Sequence, residues 1–311
     1  MKSKTKKIIM GTALGLCLVP SMLLFTACGG QLDSEAQCNV SKTYSASTAA
    51  EFAEKTEDAT ISKGHSGWYR LTMKTTAQGS IGVAGNPSTY SFENYTNALI
   101  EPNSIDQRMA LKTKTTFDMV GKKGSIEMES YLLDGNLYNH TLPSTVSLNY
   151  VTTTFPETKI KVEGYDISST LSRIGLVDTY IDAQSIMDYI NVSASTDKSD
   201  LKFEINEAGN KINFKVTFGA GISNSLMTNM VAYVNITKQE VNGYMLDAIK
   251  LEGDYSMKAG SGFTGSAIPM TGKTSITISK AWSEVEYPNF DDYTSADIGF
   301  ISNILDLRNQ K

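Results

Sequence analysis

Alternation of apolar and polar side chains recurs along most of this 311-residue chain. Tyr69, Leu71 and Met73 alternate with basic or hydroxyl-bearing neighbours, and the same period of two returns across residues 201–218. A period of two predicts strands with one apolar and one polar face, because successive side chains of a strand point to opposite sides. The chain is therefore expected to build a sheet and to cover its apolar face.

Two turn signals indicate that the strands pair as antiparallel neighbours. Asp134-Gly135 separates two alternating runs, and this dipeptide tolerates the positive φ angles that a tight hairpin requires. Residues 207–210 separate a second pair of runs. Counting runs of this period predicts about five strands before residue 167 and about five after residue 200.

Other stretches place apolar residues at helical spacing. We predict a short helix with Ser47 as its N-cap, two short helices within residues 167–192, and an amphipathic helix from about residue 294. Residues 222–234 fit a helix, with Ile222, Leu226 and Met230 on one side, although residues 231–236 fit a strand equally well. The sequence thus predicts an α+β fold, a large curved antiparallel sheet with helices over one face, because long strands favour a curved sheet or a partial barrel.

The N-terminus has the order of a secretory signal peptide. Four lysines among the first seven residues precede a charge-free run, residues 8–25, and the small residues Thr26 and Ala27 then precede Cys28. This segment resembles a bacterial lipobox, in which the cysteine is lipidated and becomes the new N-terminus. The alternative is a single transmembrane helix, since the run approaches the ~20 residues that spanning needs. Two glycines and a proline inside the run argue against that alternative.

The chain is accordingly divided into three parts. Residues 1–27 are predicted to be a lipoprotein signal peptide, residues 28–46 a polar tether, and residues 47–311 a single α+β domain. Without the four lysines of the predicted signal peptide, the chain has 24 basic and 33 acidic residues, which gives a net charge of −9. This acidic balance argues against a nucleic-acid partner. We expect the membrane as a partner, through Cys28 on its extracytoplasmic face.

Patterns typical of catalytic or metal sites are not found in the sequence. His65 and His140 are isolated, whereas a zinc site needs three or four convergent ligands. Glu127 and Glu129 share one face of a predicted strand. They are either part of a solvated face of the sheet or a pair of acids for glycoside hydrolysis. Cys38 has no second free thiol if Cys28 carries lipid, so it is either an incidental or a reactive thiol. We expect no enzymatic activity, no metal and no cofactor.

Tyrosine and methionine are enriched, with 15 and 13 copies. Both side chains suit adaptable apolar contacts. The sequence is consistent with two roles for these side chains, lining a ligand cavity or filling an ordinary core. The candidate cavity residues are Tyr69, Met73, Phe92, Met109, Phe117, Met128, Tyr138 and Phe214.

Two segments carry a resemblance to a known family. Residues 125–140, SIEMESYLLDGNLYNH, resemble the strand, glycine turn and aromatic strand of the LolA-like superfamily, and residues 281–293, AWSEVEYPNFDDY, resemble its closing strand. The resemblance extends over Ala49 to Tyr293. It implies a half-open antiparallel barrel, covered by helices, whose concave face takes an acyl chain or a lipid. The expected function is a lipid-anchored, non-catalytic carrier or binder of a hydrophobic ligand; the alternative is an envelope structural or protein-interaction lipoprotein.

Overall fold

A computed structural model describes most of the chain beyond residue 31. The described residues are 32–57, 59, 68–81, 88–101, 108–119, 122–148, 151–164, 187, 190, 201–219, 227–239, 243–260, 267–282 and 284–296. The predicted signal peptide, Cys28 and His65 lie outside them, as do residues 297–311 of the predicted terminal helix.

Fifteen strands and one helix have defined bounds in this part of the chain. The helix, α1, is Ala49–Thr56. The strands in chain order are β1 (Ser45–Ala46), β2 (Tyr69–Ile81), β3 (Ser88–Glu101), β4 (Arg108–Met119), β5 (Lys122–Leu133), β6 (Asn136–Thr141), β7 (Ser144–Leu148), β8 (Val151–Phe155), β9 (Thr158–Val162), β10 (Leu201–Ala208), β11 (Lys211–Phe218), β12 (Met227–Lys238), β13 (Tyr244–Gly260), β14 (Ala267–Lys280) and β15 (Thr294–Ala296).

The strands form one large, mostly antiparallel sheet that is not closed. Its order is β1-β10-β11-β12-β13-β14-β2-β3-β4-β5-β6-β9-β15, and β7 branches from β5 to carry β8. Only β15, which lies parallel to β9, breaks the antiparallel pattern of the described strands. Strands β2–β6 and β10–β14 are two meanders, as the alternation predicted, and the pairing of β14 with β2 joins them.

The hairpin predicted at Asp134-Gly135 is confirmed. Leu133 pairs with Asn136, and the two turn residues between them have φ angles of 52° and 69°. A two-residue hairpin turn of this hand needs positive φ at both positions, which aspartate and glycine tolerate better than other residues. The local sequence therefore sets the register of β5 against β6.

The sheet has two chemically different faces. We call the face that carries Leu71 and its register neighbours Ile278 and Ala98 the front face. Buried apolar side chains from β2, β3 and β10–β14 form the main core there. Phe52 of α1 covers part of it and meets the ring of Phe214 edge to face, at 5.0 Å between centroids. The opposite face, which carries Thr72, is called the back face.

Helix α1 begins one residue later than the sequence predicted. Thr48, not Ser47, is the N-cap, because its hydroxyl accepts a hydrogen bond from the backbone N–H of Glu51 at 3.1 Å. The Ser47 hydroxyl instead donates to the Glu51 carboxylate at 2.7 Å. The two hydroxyls thus fix both the backbone and the acidic side chain of the first turn.

The predicted α+β class, with helices over one face, is wrong: the described chain is mostly β, and α1 is its only helix with defined bounds. Met227–Lys238 forms a strand, although its side chains also fitted helical spacing, and Thr294–Ala296 forms edge strand β15. Of the predicted middle helices only Met187 and Ile190 are described. Both have helical backbone and lie buried in the main core.

Candidate functional site

Seven of the eight predicted cavity residues lie on the front face. The register places Phe92 opposite Phe117, next to the core residue Ala77, and places Met128 in the row of Met73. The front-face members are Tyr69, Met73, Phe92, Met109, Phe117, Met128 and Phe214. Alternation brings them to one side, and their contact with a ligand stays a prediction.

Tyr138 lies on the back face instead. It pairs with Tyr131 and packs in a second, smaller apolar cluster. Its ring stacks on Phe290, with centroids 3.8 Å apart and planes 13° apart. Phe290 also meets the ring of Tyr131 at 5.3 Å. Tyr138 therefore holds the segment after β14 against the sheet.

The front face divides into two halves. In the closed half, β2 and β10–β14, apolar side chains such as Phe214, Val234 and Ile249 are fully buried. In the open half, β3–β5, six large apolar side chains are only half-buried, whereas Tyr90 and Leu132 on the same face are buried. The open half is defined by Phe92, Met109, Leu111, Phe117, Ile126 and Met128. Its six side chains continue the core onto a partly accessible surface.

Polar rows run between the apolar rows of the open half, with Asn94, Thr113 and Thr115 buried and Thr96 half-buried. The Asn94 amide donates to the Thr115 hydroxyl at 2.9 Å, and the Thr96 and Thr113 hydroxyls lie 3.2 Å apart. A front-face chain of hydrogen-bonding groups therefore lies among thioether and aromatic side chains. A surface of this kind can contact the tail of an amphiphile by its apolar rows and the head by the half-buried Thr96 hydroxyl.

Leu111 and Ile126 were missed as candidates by the sequence analysis. Both occupy alternate positions of β4 and β5 that share the front face with Met128. The period-two pattern that identified Met128 also applies to them. The enrichment of tyrosine and methionine gives no signal for a leucine or an isoleucine.

The N-terminal segment from residue 32 to residue 44 crosses the back face, and we call it the N-terminal strap. Asn235 exchanges two hydrogen bonds with the backbone of Asn39, at 2.6 and 2.9 Å. The backbone N–H of Ala36 donates to the Thr72 hydroxyl at 2.7 Å. Residues 28–46 were predicted as a tether too polar to order itself, but their described part is bound to the sheet by side chains that satisfy its backbone.

The one described cysteine, Cys38, lies half-buried between the strap and the sheet. Burial of the Cys38 thiol raises its pKa to about 12, outweighing the opposing effect of Lys250. The thiol lies 3.7 Å from the carbonyl oxygen of Tyr233. Since the thiolate is the reactive form, this environment argues against the reactive-thiol alternative.

His140 lies between two carboxylates on the back face. Its Nδ1 is 3.4 Å from Glu129, which is only 2% exposed, and its Nε2 contacts Glu157 of the β8–β9 connection. Glu127 and Glu129 do share this face, opposite Lys114 and Lys112. Among the described residues no group of three or more histidine, cysteine, aspartate or glutamate side chains is placed to hold a metal ion.

The comparisons with known proteins are sparse. No family model and no curated protein matches the chain. A crystal structure of a DUF1329 family protein from Desulfovibrio piger ATCC 29098 aligns with 71% of this chain and 90% of its own, at 9% identity and a TM-score of 0.15. A likeness this weak carries no argument about fold or function. In the described part of the chain, no helix has the length and hydropathy to cross a bilayer.

Proposed function

We propose that the protein is a lipid-anchored, non-catalytic protein of the extracytoplasmic membrane face, and that it binds a hydrophobic ligand on the open half of its front face. The observation that carries this proposal is the half-buried state of six large apolar side chains on three adjacent strands. Exposed apolar surface is costly in water, and contiguous patches of it mark binding sites. A hydrocarbon chain would complete the cover that α1 provides over the closed half.

The expected ligand is an amphiphile with an acyl chain. The half-buried hydroxyl of Thr96, in the row of Met128, suits a polar head, and the half-buried Phe92 and Met128 suit an apolar tail. The LolA-like resemblance supports the same class of ligand, with the open sheet as a half-open barrel. Both arguments favour a carrier or binder over an enzyme.

The anchor has its own test. Changing Cys28→Ala should release the protein from the membrane or mislocalise it, because the lipidated thiol would be lost. Membrane fractionation and intact mass measure this outcome. A variant that stays membrane-bound at unaltered mass would identify residues 8–25 as a transmembrane span instead.

Native mass spectrometry tests the ligand. The chain from Gly29 onward, expressed in bacteria and gently purified, should carry a lipid-sized adduct that organic extraction removes. The extracted protein should then take up a fluorescent fatty acid. A bare mass with no uptake would contradict ligand binding.

A matched pair of variants locates the site. Met128→Glu places a charge on the half-buried open half and should reduce fatty-acid uptake with little change in melting temperature. Val151→Glu makes the same kind of change at a side chain that is 65% exposed on β8, so it should leave uptake unchanged. Equal uptake by the two variants would argue against the open half as the site.

A second candidate function is protein interaction in the envelope, and β8 favours it. All five residues of β8 are exposed, and Val151 and Phe155 are large apolar side chains among them. In the described chain β8 pairs only with β7, so its other edge can accept an additional strand. This alternative would be supported if the Val151→Lys variant no longer bound a partner protein that the unaltered protein binds. The unaltered protein should then also take up no fatty acid.

A further inference from the structure

The N-terminal strap fixes where a lipid anchor would leave the folded body. Leu32 is 3% exposed and packs in the second apolar cluster with Trp68, Leu99 and Ala281. The Asn97 amide donates to the carbonyl oxygens of Leu32 and Ser34, at 2.5 and 2.6 Å. The backbone at Leu32 is therefore held on the sheet and does not move as part of a long tether.

The chain between Cys28 and Leu32 is short. Four residues span at most about 14 Å when fully extended, at ~3.6 Å per residue. Acyl chains attached at Cys28 would therefore enter the bilayer close to Leu32 and its neighbours. This step rests on the proposed lipidation of Cys28.

An exposed tryptophan lies beside this point. Trp282 directly follows Ala281, which packs in the same cluster as Leu32, yet 71% of Trp282 is exposed. The Lys280 ammonium lies 5.2 Å from the centroid of its ring. Tryptophan combines an apolar ring with a polar N–H and is enriched where membranes meet water.

We propose that the surface above buried Leu32 and Ala281 docks on the bilayer, with the exposed ring of Trp282 inserted at the lipid headgroups beside the anchor. We call this surface the corner. The body then lies directly on the membrane. The occupant is a lipid surface because the chain leads from this corner to the anchoring cysteine. Exposed Glu284 and Glu286 follow on the same segment. The corner should therefore prefer zwitterionic to anionic lipid.

Tryptophan fluorescence gives a clean test, because the chain has two tryptophans and Trp68 is 1% exposed. The full lipidated protein is reconstituted into phosphatidylcholine vesicles with and without brominated acyl chains, which quench nearby tryptophan. A Trp282→Phe variant reports Trp68 alone. We expect brominated lipid to remove most of the Trp282 emission and to leave the Trp68 emission nearly unchanged.

A spacer variant tests the role of the strap. Adding about twelve Gly/Ser residues between Gly30 and Gln31 lengthens the link to a flexible coil. Quenching of Trp282 should then fall, while the protein still floats with the vesicles.

The outcomes separate this inference from the function on which it rests. Flotation with vesicles but no quenching of Trp282 would overturn membrane docking and leave the anchor intact. Failure to float, with Cys28 unmodified by mass, would overturn both. Strong quenching by brominated anionic lipid alone would contradict the expected lipid preference and the placement of the two glutamates.

Discussion

At the scale of single residues, Asp247 shows how the back face balances burial against charge. Burial raises the pKa of its carboxyl group, but hydrogen bonds from Lys280, Thr237 and Lys211 outweigh this effect and hold the pKa below its ordinary value. Lys211 is 3.0 Å away, and Lys280 and Thr237 also contact the carboxylate directly. The ionised form is thus favoured by folding.

The lowered pKa of Asp247 predicts a dependence of stability on pH. A carboxyl group whose pKa falls on folding adds stability above its unfolded pKa of about 3.9, and this stability is lost as the pH falls through the folded pKa. We expect Asp247→Asn to cost about 1 kcal/mol at pH 7, a value reduced for partial solvent screening. The cost should shrink toward pH 3. Urea unfolding at both pH values measures it.

Asp254→Asn is the matched control. Asp254 also has a lowered pKa, from hydrogen bonds with Lys273 and Asn229, but its side chain is 34% exposed, against 14% for Asp247. We expect no measurable loss of stability from this change. Equal losses for the two variants would show that burial of Asp247 has no part in its contribution.

Some residue contacts had no local signal in the sequence. Alternation assigned Tyr69, Met73 and Phe214 to one apolar face correctly, because a strand repeats every two residues. By contrast, Asn235 is 196 residues from its partner Asn39. A polar side chain that hydrogen-bonds to a backbone group far away in the sequence cannot be distinguished, by its neighbours in the sequence, from one that faces water.

At the scale of elements, the two halves of the front face should differ in stability. Phe214 of β11 is fully buried against Phe52, whereas Phe92 of β3 is half-buried. Phe214→Ala should therefore cost about 3–5 kcal/mol, because it leaves a cavity in a packed core. Phe92→Ala should cost about 1 kcal/mol, because water or a ligand can fill the space. Denaturant unfolding of both variants, without ligand, makes the comparison; equal losses would contradict the division.

The sequence left strand β12 open between a helix and a strand for a geometric reason. Ile222, Leu226 and Met230 are separated by four and eight residues, and these even separations also put side chains on one face of a strand. Met230 is buried in the main core from strand β12. Spacing alone could not distinguish the two elements. The Asp134-Gly135 hairpin was predictable because turn chemistry acts over four residues.

At the scale of the whole molecule, the order of the two meanders was not predictable from the sequence. The pairing of β14 with β2 places Thr277 opposite Thr72, two residues far apart along the chain. It gives β2 neighbours from both ends of the chain and makes one sheet from two meanders. The open half begins next to this junction, at β3, so its position also depends on a long-range pairing.

Photo-crosslinking with a diazirine-bearing fatty acid tests whether the open half of this sheet holds the proposed hydrophobic ligand. The labelled protein is digested and the modified peptides are identified by mass spectrometry. We predict that the label is found on peptides of β3–β5 that contain Phe92, Phe117 or Met128, and that excess unlabelled fatty acid removes it. Label that resists this competition, or that is confined to Val151–Phe155 of β8, would contradict this proposal.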